Sequence, residues 1–268
     1  MTIRLEHVQV GQQRIAYRRA GNGPALVLLH GAVCDSRVWR APMERLADEF
    51  TVLAWDAPGC GLSTDPPDSW RLPQYADCLA AFLDTISLDD VALLGHSWGS
   101  ALALQLYHRH PSLPTTMLLV GAYAGWAGSL PPEEVAARLR FALDVADRLP
   151  GGFDPESMPG LFSDAIPADC VQELKTIMSE IRPEGTRVMA HALAEADLRD
   201  MLGDITVPVL LLYGDRDERA PLPVARSLQG AISTSTLVVL PGIGHESFLE
   251  STGTFVQEVQ GFLHSRGA

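Results

Sequence analysis

Two stretches, Ala25–Leu29 and Val91–Leu94, are apolar at every position, and each runs into a pair of one glycine and one histidine, His30-Gly31 and Gly95-His96. A strand with one face in water alternates polar and apolar residues. A strand that is apolar throughout must be covered on both faces, as in a parallel sheet clothed by helices. Between such runs lie longer segments with apolar residues at helical spacing. Helices are expected from about Ser36 to Asp48, Tyr75 to Ile86 and Ser100 to His110, the last stopped by Pro111, with further strands at Thr51–Trp55 and Thr116–Val120. Leu5–Val10 and Arg14–Arg19 flank Gly11 and predict a hairpin. The alternation implies an α/β fold with a mostly parallel sheet.

The pattern changes from about Gly121 to Gly203, where no convincing strand occurs and helical segments recur. Pro131-Pro132-Glu133-Glu134 marks a helix start, with proline and acids in the first turn. Further helices are expected near Ala168–Ile181 and Thr186–Leu202, joined through Pro150-Gly-Gly and Arg182-Pro-Glu-Gly185. Alternation resumes with strands at Val207–Tyr213 and Thr236–Leu240 and helices at Leu222–Gly230 and Thr254–His264. The middle stretch therefore reads as an all-helical insertion above the carboxyl ends of the strands.

Composition narrows the function. A chain of 268 residues, 47% hydrophobic and 20% charged, has the balance of a soluble globular protein that builds a large core without staples. A net charge of −13 argues against a nucleic-acid surface and an anionic membrane. Cys34, Cys60, Cys78 and Cys170 lie too far apart for a zinc site or a redox dithiol, which suits thiols in a reducing compartment. The start, Met1-Thr-Ile-Arg-Leu-Glu-His7, lacks the pattern of a secretory signal, and no apolar run reaches the ~20 residues of a bilayer span, so a cytoplasmic location is expected. Asp56-Ala-Pro-Gly59-Cys-Gly61-Leu-Ser63 is glycine-rich but has neither the ending of a P-loop nor a dinucleotide fingerprint, and is expected to turn the chain and brace neighbouring loops. Neither a metal nor an organic cofactor is implied.

The chemistry lies in Gly95-His96-Ser97-Trp98-Gly99, which fits G-x-S-x-G with a buried strand before it and a helix after it. A serine on that sharp turn is exposed above the sheet, and the helix N-terminus beneath it turns backbone N–H groups toward a developing oxyanion. A hydroxyl needs a base, and a base needs an orienting group. Of eight histidines, His245 in Pro241-Gly-Ile-Gly-His245 follows the last strand in a loop that can swing over the sheet edge. His96 is expected to point away from the nucleophile and His30 to support its turn. The orienting acid is expected in Gly214-Asp215-Arg216-Asp217, with Asp217 further into the loop and Asp215 as a loop cap or ion-pair partner. The oxyanion donors are the N–H of Trp98 and that of Ala32, with Val33 as the alternative.

Together, the His30-Gly31 turn, Asp56–Ser63, the Ser97 elbow, Gly214-x-x-Asp217 and Gly244-His245 resemble the α/β-hydrolase superfamily over nearly the whole chain. The resemblance implies an eight-stranded, mostly parallel sheet formed by residues 1–120 and 204–268. It also implies a helical cap at 121–203. The serine–aspartate–histidine order is the one that superfamily uses. Haloalkane dehalogenases and epoxide hydrolases resembling this chain carry aspartate where Ser97 stands, which disfavours both chemistries. The elbow resembles that of proline iminopeptidases, but His30-Gly-Ala-Val-Cys34 departs from their His-Gly-Gly-Pro-Gly turn. Carbon–carbon bond hydrolases also usually have a glycine- and proline-rich turn there.

The expected activity is hydrolysis of an ester or lactone of a small to medium, mainly apolar substrate through an acyl-enzyme. Iminopeptidase, amidase, carbon–carbon bond hydrolase or cofactor-free perhydrolase chemistry on the same triad is the alternative, and a non-catalytic small-molecule receptor is the rival from another class. Trp39, Trp126, Phe141 and Phe162 are the candidate pocket walls. Sequence leaves room for a homo-oligomer.

Overall fold

The computed structural model describes residues 2–148, 158, 160–163 and 166–266. Eight strands form one sheet: β1 (Arg4–Val10), β2 (Gln13–Ala20), β3 (Ala25–Leu29), β4 (Thr51–Trp55), β5 (Val91–His96), β6 (Pro114–Val120), β7 (Val209–Gly214) and β8 (Ser235–Leu240). Their order is β1-β2-β4-β3-β5-β6-β7-β8. The hairpin β1-β2 and the β2-β4 pair are antiparallel, and the remaining pairs are parallel. The order reverses between β3 and β5, where Leu29 pairs with Gly95, so a crevice opens beyond the carboxyl ends of these two strands.

The unbroken apolar strands serve two cores at once. Val27, Leu29, Leu53, Leu93 and Leu211 face one side and pack with α2 (Leu72–Thr85), α3 (Trp98–Arg109) and α7 (Leu222–Ala231). Their neighbours Leu26, Leu28, Val52, Leu94 and Leu210 face the other, against α1 (Arg40–Leu46) and α9 (Thr252–His264). Period-two alternation with both faces dry is what a helix-covered parallel sheet demands.

Local chemistry explains where boundaries depart from the expected ones. The helix expected over Ser36–Asp48 is split into a 3-10 turn, Ser36–Trp39, and α1. Pro42 has no N–H to give to the Val38 carbonyl, so one continuous helix would lack a bond at the joint. Asp35 caps the 3-10 turn through the N–H of Arg37. α2 begins earlier than the apolar spacing suggests, because Pro73 suits the first turn and Gln74 Oε1 accepts from the N–H of Arg71.

Between β6 and β7 the described residues hold α4 (Pro132–Arg148), α5 (Ala168–Ser179) and α6 (Pro183–Ala194) and no strand. The helix expected over Thr186–Leu202 ends at Ala194, and a separate 3-10 turn follows at Arg199–Asp204. The chain breaks there because Leu198 N–H leaves the helix for the Ala124 carbonyl and Asp197 caps the N–H of Arg199. The Pro150-Gly-Gly joint lies outside the described residues, whereas Arg182-Pro-Glu-Gly185 forms the start of α6.

α6 joins the first core through Val188, Met189 and Leu193, and α5 joins the second through Leu174, Ile177 and Met178. Ion pairs rim these contacts: Arg37–Glu180 at 2.6 Å, Arg40–Glu173 at 2.9 Å, Arg71–Glu195 at 2.7 Å and Arg182–Asp65 at 2.7 Å. Asp56–Ser63 braces its neighbours, with the Asp56 carboxylate accepting from the N–H groups of Ser36 and Leu62. Arg182 donates to the carbonyls of Gly61 and Ser63 from the other side. All four cysteines are free thiols. Among the described residues no helix is long and apolar enough to cross a membrane.

Candidate active site

Ser97 sits between β5 and α3 in a conformation few side chains adopt, with φ +51° and ψ −111°. Holding a non-glycine residue there costs about 1–3 kcal/mol, which the packed sheet supplies. The flanking glycines are required by close approach: a Cβ on Gly95 would lie 2.4 Å from the Gly99 carbonyl oxygen, and one on Gly99 2.2 Å from that of Leu29. The N–H of Ser97 is fixed to the Val120 carbonyl at 2.9 Å. Trp98 opens α3, so its N–H belongs to the first turn, which has no intrahelical acceptor.

His245 follows β8 and is buried. Its Nδ1 lies 2.8 Å from Asp217 Oδ2. The other oxygen of Asp217 accepts from the N–H groups of Arg219 at 2.9 Å and Ala220 at 2.7 Å, so this carboxylate is held on three sides. Asp215 turns away and accepts from the N–H of Gly242 at 2.6 Å. Gly121 closes over the pair after β6: a Cβ there would come within 2.8 Å of His245 Cε1.

Ser97, His245, Ala32 and Val33 line one cavity of about 380 Å³. Val33 is itself strained, a β-branched residue at φ +56° in the turn after β3. His30 stays behind that turn as expected, with Nδ1 donating to the Gly31 carbonyl and Nε2 accepting from the N–H of Ala57. Trp126 and Phe141 line the cavity. Trp39 does not: it is fully buried in the second core, its ring 4.3 Å from that of Phe248. Phe162 lines a separate groove with Asp215 and Glu218. Aromatic residues near the turn or in the insertion could serve either as wall or as core, and composition does not distinguish the two.

The structure corrects one further expectation. His96 does not point away from the nucleophile but lines the same cavity. The cavity wall is mainly apolar, as expected, and Glu134, Arg138, Glu218, Arg219 and Glu246 also reach it. Arg138 lies over the rings of Tyr123 and Trp126, donates to the Tyr123 hydroxyl at 2.9 Å and pairs with Glu134 at 2.5 Å. Burial pushes Arg219 below the usual guanidinium range. Burial pushes Glu246 from 4.5 to about 8, and the carboxylates of Glu250 and Asp217 add to the rise. These residues had a signal in the sequence: Arg219 and Glu246 stand two and one positions after Asp217 and His245, on the same loops. Arg138 shares a helix face with Phe141.

Residues 26–258 match the model of the alpha/beta hydrolase family. The chain belongs to that family. This alpha/beta hydrolase is 29% identical to a pimeloyl-[acyl-carrier protein] methyl ester esterase of Chromobacterium violaceum, covering 92% of this chain and 96% of the relative. A thermophilic esterase from Thermogutta terrifontis has a similar structure, with a TM-score of 0.88 and 25% identity over 98% of each chain. The enol-lactonase of Burkholderia xenovorans LB400 shares the fold, with a TM-score of 0.83 and 24% identity over 97% of this chain and 100% of that one. As a member of the family, the protein is a hydrolase with a small-molecule substrate. Among the described residues no group of three or more His, Cys, Asp or Glu side chains is arranged to hold a metal ion.

Proposed function

We propose that this hydrolase cleaves a carboxylic ester or lactone through an acyl-enzyme, with Ser97, His245 and Asp217 as its triad. The observation that carries this reading is a strained serine sharing one cavity with a histidine whose far nitrogen is held by a buried carboxylate. His245 Nδ1 donates to Asp217, which leaves Nε2 as the base. Nε2 takes the proton of Ser97 Oγ as the oxygen attacks the carbonyl, then returns it to the departing alcohol. The N–H groups of Trp98 and Ala32 hold the oxyanion, each contributing about 10²–10³ in turnover. Residues 121–203 act as the cap, and Trp126 and Phe141 form apolar walls for the acyl or alcohol moiety. An esterase and an enol-lactonase among the similar structures, and a methyl ester esterase among the relatives, support the ester assignment.

A fluorophosphonate should label the protein at one residue, and Ser97→Ala should abolish the labelling. Absence of labelling in the wild type overturns the reading. p-Nitrophenyl esters of increasing length, lactones and amino-acid amides assayed side by side then test the bond type. Faster turnover of amides than of esters overturns the ester assignment.

A further inference from the structure

His96 and Glu246 form a buried pair that the triad does not use. His96 Nε2 lies 3.1 Å from the backbone carbonyl of His245, which can only accept, so Nε2 carries the proton and Nδ1 is left as the ring's acceptor. That Nδ1 faces Glu246 Oε2 at 4.0 Å, and this oxygen has no hydrogen-bond partner. The His96 ring lies 4.7 Å from the His245 ring and 5.0 Å from that of Phe248. A Cβ on Gly31 would come within 2.9 Å of His96 Nδ1, so the same ring underlies the turn that carries Ala32. His96 therefore touches both halves of the reaction centre, the base's backbone and the oxyanion turn.

We propose that Glu246, protonated, is a positioning residue that holds His96 by donating its O–H to Nδ1, and through His96 fixes the backbone of His245. A closure of about 1 Å brings the two atoms into hydrogen-bond range. The surroundings favour the neutral acid. Glu250 of the short helix α8 (Ser247–Glu250) and Asp217 of the β7 loop bring negative charge, while Arg219 of that loop opposes them. Cys34, after β3, also feels the Glu246 charge, and burial keeps its thiol protonated. Burial pushes His96 well below the usual imidazole range, with His245 and His30 contributing, so the ring accepts rather than carries charge. Once Glu246 ionises, two acceptors face each other and the brace is lost. Activity should therefore fall on the alkaline side as pH passes about 8.

The inference rests on the proposed triad for its kinetic effect, but its structural half can be read without turnover. In histidine side-chain ¹⁵N spectra, His96 should be the neutral tautomer protonated on Nε2, and its Nδ1 shift should move between neutral and alkaline pH. Glu246→Ala should abolish that movement. An Nδ1 shift that does not change with pH, or that changes equally in Glu246→Ala, overturns the proposal whether or not the protein is an esterase.

With p-nitrophenyl acetate, Glu246→Ala should lower kcat about tenfold or more with a much smaller change in KM, since the brace acts through His96 and the small acetyl group asks little of the cavity wall. Glu246→Gln, whose amide donates at every pH, should restore most of that loss and remove the alkaline fall. An alkaline fall that persists in Glu246→Gln, or a kcat in Glu246→Ala equal to wild type, overturns the proposal. Loss of fluorophosphonate labelling in Ser97→Ala, measured alongside, keeps a failure of the brace distinct from a failure of the triad.

Discussion

At the scale of single residues, the two aspartates after β7 separate cleanly by partner. Asp217 meets His245 and two backbone amides in a buried site, while Asp215 meets only the N–H of Gly242 at the surface. Asp217→Asn should lower kcat about 10³–10⁴-fold at nearly unchanged KM, because the amide supports the wrong tautomer of His245. Asp215→Asn should change kcat less than tenfold. Steady-state kinetics on an ester substrate check both. The position of these carboxylates was legible from chain order and loop chemistry alone. The burial of Glu246 was not, since a glutamate beside a loop histidine is equally consistent with a solvated side chain. Only the closing of Glu250, His96 and Asp217 around it reveals burial.

Strands and helices were legible wherever one pattern ran uninterrupted. The apolar runs of β3 and β5 and the alternation around them define the sheet, because no other arrangement buries both faces. Boundaries slipped where a side chain competed with the helix, as Pro42 does in the first turn of α1 and Asp197 after α6. The tryptophans show the same limit for function. Trp39 has its ring among Phe248 and Phe255, so Trp39→Ala should cost about 3–5 kcal/mol of stability, read as a fall in denaturant midpoint. Trp126, on the cavity wall and stacked with Arg138, should behave differently. Its replacement by alanine should shift the preferred acyl length and raise KM, with less than half the stability loss of Trp39→Ala. An ester-length series on both variants, together with their unfolding curves, distinguishes wall from core.

For the molecule as a whole, Glu246 links stability to pH. In the unfolded chain it ionises around 4.5, whereas in the folded one it holds its proton to about 8. Between those values the folded state binds the extra proton, so this residue's contribution to stability declines as pH rises through that window and levels off above it. Glu246→Gln removes the titration. Its Tm should exceed that of the wild type by a few degrees near pH 9 and by little near pH 5, a difference that calorimetry at the two pH values measures.

The rim of ion pairs around α5 and α6 carries a different consequence. Each pair is partly exposed and contributes about 0–1 kcal/mol, and the Debye length falls from about 10 Å at 0.1 M salt to 3 Å at 1 M. The sheet beneath is held by apolar burial, which salt does not screen. Near 1 M sodium chloride, hydrogen exchange should accelerate in α5 and α6 while β3, β5 and β6 keep their protection. Ionic strength would thus act as a selective loosening agent, freeing α5 and α6 while the sheet stays rigid. If product leaves past Leu193 of α6 and that step limits turnover, added salt speeds this hydrolase where it slows enzymes that capture substrate by charge.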